Sequence, residues 1–154
     1  MPNVAQLNVG RFRHPTGDAR MRAFMDNLDR VNAIAERSEG FVWRLKDESN
    51  NATAIRPPDD PTMAVNLSVW ESVEALERFV WATVHKHFYN RKGEWFERSD
   101  DAHFVMWSVE EGHIPSLDEA MSKLDHLRRH GDSDFAFGWS WLPHIKLWMS
   151  RKCG

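Results

Sequence analysis

Apolar and polar residues alternate over residues 4–12, with Ala5, Leu7 and Val9 on one side and Gln6, Asn8 and Gly10 on the other, the period of a half-buried strand. Pro15-Thr16-Gly17-Asp18 ends the alternation. Met21, Phe24, Met25, Leu28, Val31 and Ala35 then recur at three- and four-residue steps, which predicts a helix stopped by Gly40. Residues 41–45 read as a second strand, with residues 52–55 a candidate continuation, and the proline-rich stretch 56–61 must be a loop because proline lacks the ladder donor. Residues 64–70 alternate again, with Val65, Leu67 and Val69 opposite Asn66, Ser68 and Trp70. Ser72 is placed to cap a second helix whose apolar stripe (Val73, Leu76, Phe79 or Val80, Val84, His87 or Phe88) runs to about Lys92-Gly93, and residues 94–97 extend or follow it. Residues 103–109 carry large side chains on both sides, as in a strand buried on both faces. Ser116-Leu117-Asp118-Glu119 has the form of a capping box opening a third helix that ends at Gly131.

This order predicts an α+β fold: a ferredoxin-like β-α-β-β-α-β antiparallel sheet with its two helices on one face, plus a third helix and an aromatic C-terminal tail. The pattern assigns Leu7, Val9, Val65, Leu67 and Val69 to the face under the first two helices. Gln6, Asn8, Asn66, Ser68 and Trp70 are left on the other face, where the large ring of Trp70 calls for cover by a second sheet in a homodimer or by a ligand. In the tail, Phe135, Phe137, Trp139 and Trp141 alternate with mostly small residues, so an extended segment would line up four rings. Alternation leaves open whether these meet a sheet edge, a pocket or a second subunit. The expected division is a domain over 1–131 and an aromatic extension over 132–154, packed on that domain or on its partner.

A chain of 154 residues suits one hydrophobic core. Its net charge of −3 offers no basic face, so neither nucleic acid nor an anionic membrane is an expected partner. No run approaches the roughly 20 apolar residues of a membrane span, and the start lacks a basic leader followed by an apolar stretch, so a cytoplasmic protein is expected. Cys153 stands alone near the C-terminus and is expected to be inert. Eight tryptophans and nine phenylalanines accompany one tyrosine, and rigid rings in that proportion are what line small-molecule pockets and subunit interfaces.

Five stretches carry a resemblance: Leu7-Asn8-Val9-Gly10-Arg11, Gly40-Phe41-Val42-Trp43-Arg44-Leu45, Val65-Asn66-Leu67-Ser68-Val69-Trp70-Glu71-Ser72, residues 91–96, and His126-Leu127-Arg128-Arg129-His130-Gly131. Over residues 3–137 the chain resembles a bacterial family of domains of unknown function, which looks like part of the dimeric α+β-barrel superfamily alongside the antibiotic-biosynthesis monooxygenases. The resemblance implies a homodimer. Superfamily relatives include cofactor-free oxygenases of polycyclic aromatics, haem-degrading enzymes, cyclases and plain binding proteins, so fold alone does not select a chemistry.

Among residues that carry chemistry, His85 lies in the second helix with Trp81 one turn before it and Phe88 and Tyr89 one turn after. It is a candidate base, haem ligand or anchor for a phenol, against the plainer reading of a solvated helix histidine. Arg91 and Trp95 share a helix face by their four-residue step and match the family's pattern; a charged helix end is the alternative. Asn8, Trp43, Asn66, Ser68, Trp70, His103 and Trp107 are strand-side candidates for a cavity with apolar walls and a few polar groups, the tryptophans being equally suited to core or interface. Metal binding is not expected. His85 and His87 fall on opposite sides of a helix, and the His126/His130 pair is flanked by Arg128 and Arg129, which repel a cation. Neither a nucleophile elbow nor a glycine-rich phosphate loop is present. The haem-degrading relatives combine a strand asparagine with a tryptophan and a histidine on the second helix. Asn8 stands for the first, but Phe79 and Tyr89 occupy the other two places, which speaks against haem degradation while leaving haem binding by His85 open.

The reading is a homodimeric enzyme for a flat, aromatic small molecule, with monooxygenase-like, rearrangement or cyclisation chemistry and no cofactor. His85 would move the proton, Arg91 orient an anion, and Asn66 or Asn8 polarise a carbonyl. The alternatives are a non-catalytic small-ligand or stress-related binding protein and a haem-binding protein.

Overall fold

A computed structural model describes residues 2–15, 17–46, 63–84, 92–97 and 102–141. Along the chain lie β1 (Asn3–Arg11), α1 (Arg22–Arg37), β2 (Phe41–Arg44), β3 (Met63–Trp70), α2 (Val73–Phe79), the one-turn α3 (Lys92–Trp95), β4 (Phe104–Val109) and α4 (Leu117–His130). The strands form one antiparallel sheet in the order β2-β3-β1-β4, the ferredoxin-like arrangement expected from the alternating pattern. β1 pairs with the whole of β3, from Val4 opposite Trp70 to Arg11 opposite Met63.

Local chemistry fixes the ends of the elements. Ser72 Oγ accepts from Ala75 N at the start of α2, and Ser116 Oγ accepts from Glu119 N at the start of α4. After α1, Gly40 takes φ +87°, and a Cβ there would lie 2.5 Å from Ala75 Cβ, so the turn into β2 requires glycine for both its angle and its closeness to α2. Gly131 at φ +77° closes α4, its N–H returning to Leu127 O at 2.8 Å. Regular α-helix in α2 ends at Phe79 and gives way to a wider π turn over Val80–Val84. The expected continuation of that helix over 85–91 lies outside the described residues, as do the proposed strand segment 52–55, the loop 56–61 and Cys153.

The two faces of the sheet are the reverse of the expectation. Ala5, Leu7, Val9, Val65, Leu67, Val69, Val105, Trp107 and Val109 pack not under α1 and α2 but against α4, through Ala120, Leu124 and Leu127. α1 and α2 cover the other face, where Val4, Trp70 and Met106 meet Ala35, Ala75 and Leu76. α4 is amphipathic and fully able to cover an apolar sheet face, whereas alternation alone identifies the apolar side without saying which helix takes it. Trp70 therefore finds its cover within its own chain: it is 1% exposed, stacked on Phe79 of α2 and edge-on to Phe41.

A third cluster closes the end of β1. Phe12, Met21, Phe24 and Trp95 are buried together with Phe96 packed against them, and Phe12 bridges to Phe96. Phe96 crosses Gly10 so closely that a Cβ there would lie 2.7 Å from the ring.

The tail does not place its four rings on one side. Phe137 pairs with Met106 on the free edge of β4 (N···O 2.7 and 2.9 Å) and Trp139 stacks on Phe104, both on the α1/α2 side. Phe135 instead lies on α4, against His126 and Lys123, and Trp141 remains 42% exposed. A single bridge followed by a short helical turn at Trp139–Trp141 replaces the extended strand.

Candidate functional site

The side chains that alternate onto the α1/α2 face of the two central strands are Val4, Gln6 and Asn8 from β1 and Trp70, Ser68 and Asn66 from β3. Trp70 and Val4 are sealed by the helices, Gln6 and Ser68 are 4% and 7% exposed, and Asn8 and Asn66 are exposed. The helix layer thus covers one end of this face, and the Phe12–Phe24–Trp95 cluster covers the other. Between them lies a polar strip. One more strand outward, Phe104 sits opposite Asn8 with its ring stacked 5.1 Å from that of Trp139.

The strip is internally bonded. Gln6 Nε2 donates to Ser68 Oγ (2.7 Å) and Asn66 Oδ1 (2.8 Å), and Trp70 Nε1 donates to the same Ser68 Oγ (2.9 Å). Ser68 Oγ accepts twice, so its own O–H remains to donate, and it meets no acceptor among the described residues. The oxygen of the Asn66 amide is occupied by Gln6, which leaves its N–H groups outward. The strip therefore presents donors, the complement of a carbonyl, phenolate or enolate oxygen. Beside Ser68 on β2 stands Arg44, 7% exposed, its guanidinium 2.9 Å (Nη2) and 3.2 Å (Nε) from Glu36 Oε1 on α1.

The structure thus brings together Asn8, Asn66, Ser68 and Trp70 and separates them from other predicted site residues. Trp43 falls on the opposite face. The register shifts between Phe41 and Trp43, so Phe41 aligns with Trp70 but Trp43 aligns with Val69 and packs toward α4. Trp107 also lies on the α4 face, 1% exposed. Its Nε1 donates to Glu119 Oε2 (2.9 Å), while Glu119 Oε1 lies 2.8 Å from His113 Nε2. Burial alone would raise the Glu119 carboxyl, but the bonds from His113 and Trp107 outweigh it and hold the group below the usual carboxylate value. Trp95 is wholly buried against Phe24 and serves as core. His103 is exposed, with its carbonyl accepting from Val9 N, and Trp81 is half-buried in the π turn after α2. His85, Tyr89 and Arg91 lie outside the described residues.

Two members of the strip went unselected in the sequence. Gln6 shares the period of Asn8, Asn66 and Ser68, so alternation was signal enough to find it. Arg44 was hidden by the register shift, since strict alternation pairs it with Val42, which is 40% exposed. Among the described residues there is no group of three His, Cys, Asp or Glu side chains that could hold a metal, and no helix long and apolar enough to cross a membrane.

Residues 3–150 match the family model described as "Domain of unknown function (DUF3291)". No curated protein matches the chain. Among solved structures, a conserved protein from Methanosarcina mazei Go1 superposes with a TM-score of 0.53 at 10% identity, over 71% of this chain and 95% of that one. A protein of unknown function from Nitrosomonas europaea gives 0.50 at 10% identity, over 75% and 97%. SnoaB, a cofactor-independent oxygenase from Streptomyces nogalater, gives 0.49 at 16% identity, over 75% and 100%. The first two share the fold of this chain.

Proposed function

We propose that this chain, which belongs to the DUF3291 family of domains of unknown function, binds and transforms a flat, oxygen-bearing aromatic small molecule at the polar strip on the α1/α2 face of the sheet. One observation carries the reading. On a sheet face otherwise closed by apolar packing, Asn8 and Asn66 stay exposed beside the bonded Gln6–Ser68–Trp70 group, with rings at the margins of the strip. Small-ligand sites are composed this way, of apolar walls with a few fixed polar groups. A planar ligand would lay its oxygen on Asn66, Asn8 and Ser68. These donors cost no reorganisation when negative charge develops on that oxygen, because Gln6 and Trp70 already hold Ser68 and Asn66 in place. Proton removal falls to His85 and anion orientation to Arg91, in monooxygenase-like or rearrangement chemistry, and the working unit is a homodimer.

A second reading is a binder without turnover. The described residues of the strip offer amides, a hydroxyl and an indole, none of which exchanges protons near neutral pH. One pair of variants separates the readings, measured on a panel of planar hydroxyaryl ketones. Asn66→Ala weakens binding under both. His85→Ala abolishes turnover while leaving affinity within a few-fold if the chain is an enzyme. If wild type turns over nothing and His85→Ala binds unchanged, the binder is right; if Asn66→Ala binds like wild type, both are wrong.

A further inference from the structure

His126 and His130 lie one turn apart on α4 with ring centres 4.6 Å apart and planes at 47°. The sequence argued against a cation here, because arginines stand between and beside the two histidines. The structure answers part of that objection. Arg128 Nε donates to Ala102 O on the strand side (2.8 Å), and Arg129 Nε lies 3.1 Å from Asp125 Oδ2. The ammonium of Lys123 sits 3.2 Å from the centre of the Phe135 ring. Arg129 is thus matched by a carboxylate, and Arg128 is drawn toward the segment before β4. Among the described residues neither imidazole has a hydrogen-bond partner, so their ring nitrogens are not spent on structure. Phe135 packs edge-on against His126 (4.6 Å between ring centres) and walls one side of the pair. The C-terminal end of a helix carries partial negative charge, which favours a cation in its last turn.

Of the divalent first-row ions, copper(II) binds imidazole nitrogen most tightly, with nickel(II) next on its lighter side. We infer that His126 and His130 form a two-imidazole site for a divalent ion of tetragonal preference, copper(II) or nickel(II), with water completing the shell.

The test uses the untagged full chain with one equivalent of copper(II), read by calorimetry and by paramagnetic broadening of backbone amide signals. Broadening centred on residues 126–131 and Phe135 is expected, with His126→Ala and His130→Ala each weakening the first equivalent at least tenfold and His113→Ala leaving it unchanged. Circular dichroism confirms that the variants fold. Broadening centred elsewhere, or first-equivalent affinity within twofold of wild type in either α4 variant, overturns the inference and assigns the ion to other histidines.

Discussion

Substituting Ser68 by alanine removes one oxygen and leaves two donors without their shared acceptor. Trp70 Nε1 donates to Ser68 Oγ at 2.9 Å from a ring that is 1% exposed, so its N–H has no route to water. A buried donor left unsatisfied costs about 1–3 kcal/mol. Gln6 loses the 2.7 Å bond but keeps its 2.8 Å bond to Asn66, so its share is smaller, about 0.5–1 kcal/mol. Together these predict a loss of about 1.5–4 kcal/mol, which at about 2–4 °C per kcal/mol for a domain of this size lowers Tm by about 3–16 °C. Urea and thermal unfolding of Ser68→Ala, Trp70→Phe and the double variant measure it. Trp70→Phe removes the donor, so Ser68→Ala should cost at least about 1 kcal/mol less in that background. A Ser68→Ala cost below about 0.5 kcal/mol, additive with Trp70→Phe, would refute the shared acceptor and with it the claim that the polar strip is prebuilt.

Three further outcomes follow from packing and charge. Gly10→Ala should cost about 1–3 kcal/mol in chemical unfolding, because its Cβ would sit 2.7 Å from a Phe96 ring already stacked on Phe12 and edge-on to Phe24. Gly40→Ala meets Ala75 at 2.5 Å and a φ of +87°; adding Ala75→Gly should restore only part of the lost stability, since the backbone angle still costs about 1–2 kcal/mol. Glu119, held below the usual carboxylate value when folded, contributes stability that is present above the ordinary carboxylate range and lost as pH falls through its folded value. Unfolding measured from pH 7 down to pH 3 should show a shallower acid loss in Glu119→Gln than in wild type, and parallel curves would contradict that role.

Much of the architecture was legible because its signals are local. Alternation marked β1 and β3, large side chains on both sides marked β4, serines marked the starts of α2 and α4, and Gly40 and Gly131 marked turns at positive φ. What could not be read was non-local. Alternation separates two faces of a sheet, but which helix covers which is settled by the packing of α4 against Leu7, Leu67 and Trp107. The irregularity at Val42 likewise has no sequence mark, and it exchanged Arg44 for Trp43 at the site. Asn8, Asn66, Ser68 and Trp70 fall together because they share one period on two adjacent strands, while Trp95 and Trp107 show that a tryptophan count does not separate exposed rings from core rings.

The face of the sheet that meets a ligand is the central claim, and side-chain resonances report it directly. In a nitrogen-15 labelled sample titrated with a planar hydroxyaryl ketone, the side-chain amide signals of Asn8, Asn66 and Gln6 should shift together and saturably. The indole signal of Trp107, on the α4 face, should stay in place. Saturable shifts at Trp107 with the three amides unmoved would place the ligand on the opposite face and contradict the account.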